Sequence, residues 1–401
     1  MPKKFNITGL CFADVHYMAD VSAKLAQTQK MVEEGDYFII NRPRQYGKTT
    51  TLYSLAEILE KTGQYLVFNI SFEGIGDAIF QDEKLFSKGF LELLSKSIKR
   101  RYPSQAAVLF EMVTGVTNLS VLSDRITDFI ETIDKKAIVL IDEVDKSSNN
   151  QVFVSFLAML RHKYLDRRSA ETFHAVVLAG VHDVKSLKLK IRPDEEQKYN
   201  SPWNIAAEFK VDMNLLPVEI KPMLDDYVAE KGVKMDTQFI AERLFYYTSG
   251  YPFLVSKLCK MMDEDVLPTK EIEEWTEQDL EFAVRKLIFE SNSNFDTLTK
   301  NLENNENLYR FAYNVVIENE IVSFTIHDPI INLGVLYGIF VTNNNRLAIH
   351  NRIYREVIIN YMTARMHSIQ LANGADFGGG YNTDRRSITM NEILNFHARK
   401  K

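Results

Sequence analysis

The stretch YFIINRPRQYGKTTTL at residues 37–52 constrains the fold of this chain more than any other. An apolar, β-prone run ends at residue 40 and a short loop follows. The sequence TTTLYSLAEILEKTG then has helical periodicity, with Leu52, Leu55 and Leu59 on one face. A buried strand, a phosphate-sized loop and a helix start therefore succeed one another in the order that a phosphate-binding loop (P-loop) requires.

The residue types in this loop fit phosphate chemistry. In a P-loop, backbone N–H groups at the helix N-terminus surround the phosphates, a lysine neutralises the terminal ones and the next hydroxyl holds Mg²⁺. Gly47, Lys48 and Thr49 occupy these places. A GK[ST] triplet alone also opens many solvated helices, so both interpretations stand at this point. The residues expected to bind nucleotide here are Pro43, Arg44, Gln45, Tyr46, Gly47, Lys48, Thr49 and Thr50.

One loop position departs from the pattern GxxxxGK[ST], which has a glycine five residues before Gly47 where this chain has Arg42. A side chain at that position costs the loop flexibility, because glycine permits the tight turn. We therefore expect low nucleotide affinity or slow turnover. Arg44, inside the loop, is the better candidate for a phosphate contact.

A second apolar run, AIVLIDE at residues 137–143, delivers two adjacent carboxylates at its carboxyl end. In a P-loop protein Asp142 would hold Mg²⁺, and Glu143, pointing to the other side, would polarise the attacking water. The plain alternative is that the acidic residues cap a buried strand with solvated charges. The P-loop earlier in the chain favours the catalytic interpretation.

Composition excludes several classes of protein. The 401 residues contain no run of 18 apolar residues, which predicts a soluble chain with no membrane partner. Two cysteines and no signal-peptide core predict a reducing, cytoplasmic location. A net charge of −6 limits any DNA contact to a local basic face. The histidines and cysteines show no zinc-ligand spacing, so Mg²⁺ is the expected metal.

Apolar strands alternate with helices in the first half of the chain, which predicts an α/β fold with a parallel sheet covered by helices on both faces. The strands are predicted at residues 37–41, 65–71, 136–141, 174–180 and 206–211. Helices alone are predicted between residues 216 and 291, and two apolar runs around an Asn-rich turn follow at residues 337–351. We expect a P-loop core with an N-terminal helical entry segment (1–215), a helical lid (216–291), a winged-helix-like domain (292–365) that starts with a polar connector (292–304), and a flexible tail (366–401).

Several motifs together resemble the AAA-like P-loop ATPases of the STAND and archaeal-ATPase branch. The segments NRPRQYGKTT, LIDEVD, LAGVHDVKSLK and YNSPWNIA are similar to a bacterial subgroup of AAA-family ATP-binding proteins. Some relatives continue into a PD-(D/E)xK nuclease domain, and no such nuclease core is visible in this sequence. The resemblance implies a sheet of order 5-1-4-3-2 and Glu143 as the activating carboxylate.

The resemblance also assigns roles beyond the two main motifs. A polar residue after the fourth strand, His182 or Asp183, would sense the γ-phosphate or position water, although such a residue also fits a simple turn. The element TSGYPFL would place Pro252 beside the adenine, and a helix end at Gly250 followed by Pro at the next helix start explains it equally. An arginine from a neighbouring subunit of a homo-oligomer would complete such sites. The positional candidates are Arg161, Arg167 and Arg168.

These features support a ranked set of functions. The first is a Mg²⁺-dependent, ATP-hydrolysing molecular switch in which Arg44, Lys48 and Glu143 are catalytic and nucleotide state moves the helical and winged-helix domains. The second is a DNA-associated ATPase that serves a nuclease in defence or mobile-element biology. The third is a scaffold for a partner protein that binds nucleotide with little turnover. Small-molecule kinase chemistry ranks last, because paired carboxylates after the third strand favour hydrolysis.

Overall fold

The computed structural model describes residues 2–147, 150–181 and 203–372. The chain divides into two compact units, Met1–Ile358 and Ile359–Lys401. Within the second unit, the structure describes residues 359–372, which are helical. None of the described helices is long and apolar enough to cross a membrane.

The centre of the first unit is a parallel sheet of order β1-β4-β3-β2. Consecutive residues along these strands are buried, although their side chains point to alternate faces, so the sheet is covered on both faces. All four strands end at one edge, where the loop after β1 and the carboxylates after β3 therefore meet. The strands are β1 (Tyr37–Asn41), β2 (Tyr65–Ser71), β3 (Lys136–Asp142) and β4 (Ala175–Gly180).

Six of the described helices surround this sheet: α1 (Ser22–Glu33), α2 (Lys48–Lys61), α3 (Glu83–Ile98), α4 (Pro103–Met112), α5 (Leu119–Glu131) and α6 (Gln151–Leu165). Aromatic side chains fill the core between the sheet and α3, α5 and α6. The Phe156 ring lies 5.0 Å from that of Phe86 and 4.8 Å from that of Phe90. Burial of each such ring contributes roughly 1.5–3 kcal/mol to the free energy of folding, so this core stabilises the sheet that carries the loop and the carboxylates.

Helices and one hairpin make up the rest: α7 (Pro217–Lys231), α8 (Thr237–Thr248), α9 (Pro252–Met261), α10 (Glu277–Ile288), α11 (Ser293–Glu303), α12 (Glu306–Val316), α13 (Pro329–Leu336), β5 (Phe340–Asn343), β6 (Arg346–Ile349) and α14 (Arg352–Ala372). The hairpin turns at Asn344 and Asn345, whose φ angles of 49° and 62° fit a two-residue turn. The expected polar connector at 292–304 is instead helix α11. Asn292 caps it, accepting from the N–H of Phe295, and Phe295, Leu298 and Leu302 form its buried face.

The strand predicted at 206–211 is not a strand of the sheet. Ala207 forms an isolated parallel bridge with Phe38, and its N–H donates to the Tyr37 carbonyl at 2.8 Å. Beyond that point the Val211 carbonyl accepts a hydrogen bond from the Arg42 side chain. The alternating pattern FKVDMNL therefore belongs to an extended segment beside β1, and the sheet has four strands among the described residues.

Candidate functional site

The loop between β1 and α2 curls over the first residues of the helix. Two residues adopt left-handed conformations, Gln45 with φ 57° and Gly47 with φ 78°. A Cβ on Gly47 would meet no atom within 4 Å, so the requirement for glycine there lies in the backbone conformation. The N-terminus of α2 points its unpaired N–H groups into this curl, which favours an anion.

Lys48 is folded into the loop. Its side chain is 7% exposed, and Nζ donates to the carbonyl oxygens of Arg42 and Pro43, each at 2.9 Å. Burial lowers the pKa of Lys48, while Asp145 and the other acidic groups nearby raise it. The ammonium is thus held at the mouth of the loop by protein carbonyls that a bound phosphate would have to replace.

The carboxyl end of β3 lies directly beside the start of α2. Thr49 Oγ1 donates to Asp142 Oδ2 at 2.5 Å, and the Glu143 N–H donates to Asp142 Oδ1 at 2.9 Å. A hydroxyl and a carboxylate are the hard oxygen ligands that Mg²⁺ prefers, so this pair fits the expected metal. The structure thereby brings together the two sequence motifs, which are distant in the chain.

Glu143 has an unusual backbone and a perturbed carboxyl group. Its φ of 55° lies in the left-handed region, which is costly for a residue other than glycine and concentrates at functional sites. Partial burial, followed by repulsion from Asp142, raises the pKa of Glu143 above its ordinary value. Asp145, the third carboxylate of the segment, accepts from the Val181 N–H at 2.6 Å at the end of β4.

Arg42 does not strain the loop, contrary to the expectation from its sequence position. Its φ is not positive, so the position does not need glycine. The guanidinium donates to the Asn41 carbonyl and the Val211 carbonyl, both at 2.8 Å, and lies 5.4 Å from the centre of the Phe209 ring. Arg42 therefore contacts the protein behind the loop.

Residues 43–46 contact parts of the chain that follow the sheet. The Gln45 side-chain oxygen accepts from Asn294 at 2.9 Å, and the Arg44 carbonyl accepts from the Tyr251 hydroxyl at 2.6 Å. A Cβ on Gly338, at the start of the hairpin, would lie 2.6 Å from Pro43, so only glycine permits this approach. The Arg44 side chain is exposed.

Tyr46 is the centre of a buried hydrogen-bond chain. Its hydroxyl donates to Asn214 and lies 2.8 Å from His350 Nε2, while Asn351 Nδ2 lies 3.3 Å from His350 Nδ1. Since the Tyr46 proton goes to Asn214, this order assigns the Nε2–H tautomer to His350. Burial lowers the pKa of His350 to about 4, which keeps the ring neutral at physiological pH.

An apolar cavity of about 120 Å³ adjoins the loop. This volume is below the ~300 Å³ of sites that enclose a whole drug-sized ligand, so the cavity has room for only part of such a ligand. Phe209, Val211, Met213 and Leu215 contribute one wall, which is what the alternating pattern of that segment provides. The remaining lining comes mostly from the N-terminal segment and from the starts of α2 and α9, including Cys11, Met18, Tyr46, Gly47, Thr50, Thr51 and Pro252.

Gly250 explains how Pro252 reaches this cavity. It has φ 76°, and a Cβ there would lie 2.3 Å from the Leu215 carbonyl oxygen. The Leu215 N–H donates to the Gly250 carbonyl at 2.8 Å. The chain before α9 is thereby fastened to the cavity wall, and Pro252, the first residue of α9, lies in the lining.

The remaining sequence candidates lie elsewhere. His182 and Asp183 fall outside the described residues. Arg161 donates to Asn204 at 2.8 Å, and Arg168 is exposed. Arg167 donates to the Gly35 carbonyl at 3.1 Å, just before β1. It therefore lies at the edge of the sheet opposite the loop and does not reach the loop of its own chain.

Comparison with known proteins places this geometry in context. The sequence profile of the AAA-like domain family matches residues 11–360. No curated protein matches the sequence. Among solved structures, the chain is similar to the Walker-type ATPase PABY2304 of Pyrococcus abyssi, with a TM-score of 0.59, 11% identity, and coverage of 88% of this chain and 99% of that chain. A weaker likeness is to the Aeropyrum pernix ORC2 protein in its ADPNP-ADP complexes, with a TM-score of 0.45, 14% identity, and coverage of 86% and 93%.

Proposed function

Because this chain belongs to the AAA-like domain family, we propose that it binds MgATP and hydrolyses it, and that nucleotide state acts on the domains after the sheet. The observation that carries the proposal is the pair Thr49 and Asp142, joined at 2.5 Å, beside an apolar cavity that reaches Gly47. The proposed base, phosphate and metal sites then adjoin one another at the start of α2.

Each part of the site has its own task in binding. The adenine would enter the cavity, where Pro252 contributes to the lining. The phosphates would lie at the N–H groups of the loop, and Lys48 would exchange the carbonyls of Arg42 and Pro43 for phosphate oxygens. The exposed Arg44 side chain can turn towards the same charge. Thr49 and Asp142 would hold Mg²⁺, which, when bound, supplies positive charge to the phosphate oxygens.

Glu143 is the group that would take the proton of the attacking water. Its raised pKa makes it a better base than an ordinary glutamate. Its backbone N–H donates to Asp142, which fixes the Glu143 backbone next to the metal-binding pair. Asp142 in turn keeps Glu143 basic through charge repulsion.

The contacts of residues 43–46 support coupling to the later domains. Tyr46 contacts His350, Gln45 contacts Asn294, and Pro43 packs on Gly338. A phosphate that reshapes the loop must move these side chains, because each is already packed against residues beyond 290. We assign residues 216–291 as the lid and 292–365 as a winged-helix-like domain built from α12, α13, the β5–β6 hairpin and α14.

Phosphate release from MgATP tests the enzymatic part of the proposal. We expect Glu143→Gln to lower turnover by about 10²–10⁴-fold while ATP affinity stays within a few-fold of the wild type, because a general base contributes in that range. Glu111→Gln, an exposed change on α4, is the matched control. Normal turnover in Glu143→Gln would refute the mechanism, and tight ATP binding without turnover in the wild type would favour the scaffold.

A test of coupling uses the Tyr46 hydroxyl. Tyr46→Phe removes the bonds to Asn214 and His350 but keeps the ring. MgATP should alter the proteolysis pattern of residues 292–358 in the wild type and alter it less in the variant, where the contacts of Gln45 and Pro43 remain. A pattern that follows MgATP equally in both proteins contradicts a role for the Tyr46 hydroxyl in this coupling. Duplex DNA, single strands and RNA added to the wild-type turnover assay test the DNA-associated alternative, which predicts stimulation.

A further inference from the structure

The segment at residues 207–215 has an unusual attachment for a cavity wall. It runs beside β1 but shares a bridge with it only at Ala207 among the described residues. Four of its side chains, at 209, 211, 213 and 215, line the apolar cavity. With little backbone pairing to the sheet, the position of this wall depends on other contacts.

Arg42 supplies two of these contacts from the loop. Its guanidinium bonds both the carbonyl of its neighbour Asn41 and the carbonyl of Val211 at 2.8 Å, which a planar fork can do without strain. It also lies against the Phe209 ring, and Phe209 in turn stacks on Phe38 of β1, with centroids 5.7 Å apart and planes 3° apart. The side chain therefore joins the loop, the strand and the wall.

The same contacts hold the Arg42 side chain against the wall. Two nitrogens of the guanidinium donate to the carbonyls of Asn41 and Val211. The exposed arginine of the loop is Arg44. Tyr46 holds the wall at a second point through Asn214, so both ends of the loop contact one segment.

We propose that Arg42 is a positioning residue that holds segment 207–215 as one wall of the base cavity, so that the phosphate loop itself sets which base fits. The inference deepens the proposed ATP site and rests on it. An arginine in the place of the usual glycine then improves base recognition. Restoring glycine would loosen the wall without improving phosphate binding.

The test separates base recognition from phosphate binding by measuring the displacement of a ribose-labelled ATP analogue by ATP and by CTP, each with Mg²⁺. The two competitors share the triphosphate and differ in the base. The wild type should prefer ATP, whose larger ring fills more of the apolar cavity. Arg42→Ala and Arg42→Gly should lose about tenfold in ATP affinity and less than threefold in CTP affinity, so that the preference shrinks.

Two further variants guard this result. Arg44→Ala removes the exposed charge and should weaken ATP and CTP by the same factor, which leaves the preference unchanged. Phe209→Leu keeps an apolar wall but removes the ring beneath Arg42, and should reduce the preference as the Arg42 variants do, even where those variants fold poorly.

Equal losses for ATP and CTP in Arg42→Ala, or an unchanged preference in both Arg42→Ala and Phe209→Leu, would overturn the proposal. A wild type with no preference would overturn it as well. Failure of the underlying ATP site is distinguishable, because the wild type would then bind neither nucleotide.

Discussion

The apolar cavity that we propose for the base and the loop that we propose for the phosphates meet at Gly47, but they differ in how much must rearrange when a ligand binds. The cavity is open and apolar, and its wall is held by side chains that do not need to move. The polar groups of the loop already have partners, since Lys48 donates two hydrogen bonds to loop carbonyls and Thr49 donates one to Asp142. A ligand can enter the first with little rearrangement, whereas the second must exchange protein contacts for phosphate contacts.

This difference predicts that the base and the triphosphate of the ligand contribute unequally to the binding free energy. The base provides contact without reorganisation, and the triphosphate provides stronger, charged contacts that first break existing ones. The loop residues just before Lys48 contact His350, Asn294 and Gly338, and the Pro43 carbonyl is one that Lys48 would release. The phosphates, and not the base, would therefore change the state of the later domains.

The largest effect should come from Lys48→Ala. We expect MgATP affinity to fall by about 10–100-fold, because a charged hydrogen-bonding group is lost, while adenosine affinity stays unchanged. Calorimetric titration with both ligands measures this split. Lys61→Ala, an exposed change at the far end of α2, is the control. An equal loss for adenosine would show that the two halves of the site are not independent.

A smaller effect is expected at Cys11, which is partly exposed and lines the base cavity, whereas Cys259 is fully buried. Maleimide should label Cys11 first, and saturating adenosine or ATP should slow labelling by about tenfold, since a bound ligand shields its cavity. Mass spectrometry of labelled peptides follows the rate, with Cys11→Ser as control. Protection by ATP but not by adenosine would show that the base binds outside this cavity.

The smallest effect concerns stability. Because the pKa of Glu143 is raised in the folded protein, its ionisation costs folding free energy above that pKa and costs nothing below its ordinary value, where it is protonated in both states. Glu143→Gln should thus raise Tm more at pH 8 than near pH 4. Calorimetry at both pH values, with Glu111→Gln as control, measures the difference. A lower Tm at pH 8 would contradict the assigned direction.

The sequence predicted those elements whose conformation depends on residues close together in the chain. The loop at Gly47 and Lys48 and the carboxylates after β3 follow from runs of apolar residues bounded by special residue types. Helix α11 was also readable, because Asn292 is a good N-cap and the apolar residues behind it recur at helical spacing. Its many polar residues led to the prediction of a connector, which was wrong.

The base cavity could not be predicted in the same way. Cys11, Met213 and Pro252 belong to no common motif and meet only in three dimensions. The pattern at 206–211 correctly indicated an extended segment, but its assignment to the sheet was wrong, because only Ala207 pairs with β1 among the described residues. Nor does any local signal join Tyr46 to His350, which are 304 positions apart.

The spread of the cavity lining along the chain has a consequence for protein synthesis. Its residues run from Cys11 to Ser256, so the pocket needs most of the polypeptide before it exists. A ribosome adds about 5–20 residues per second, with the earlier part of a chain folding first. For more than ten seconds, the nascent protein would carry its phosphate loop without a place for the base. Nucleotide could then assist only the final stage of maturation, when α9 closes against the wall.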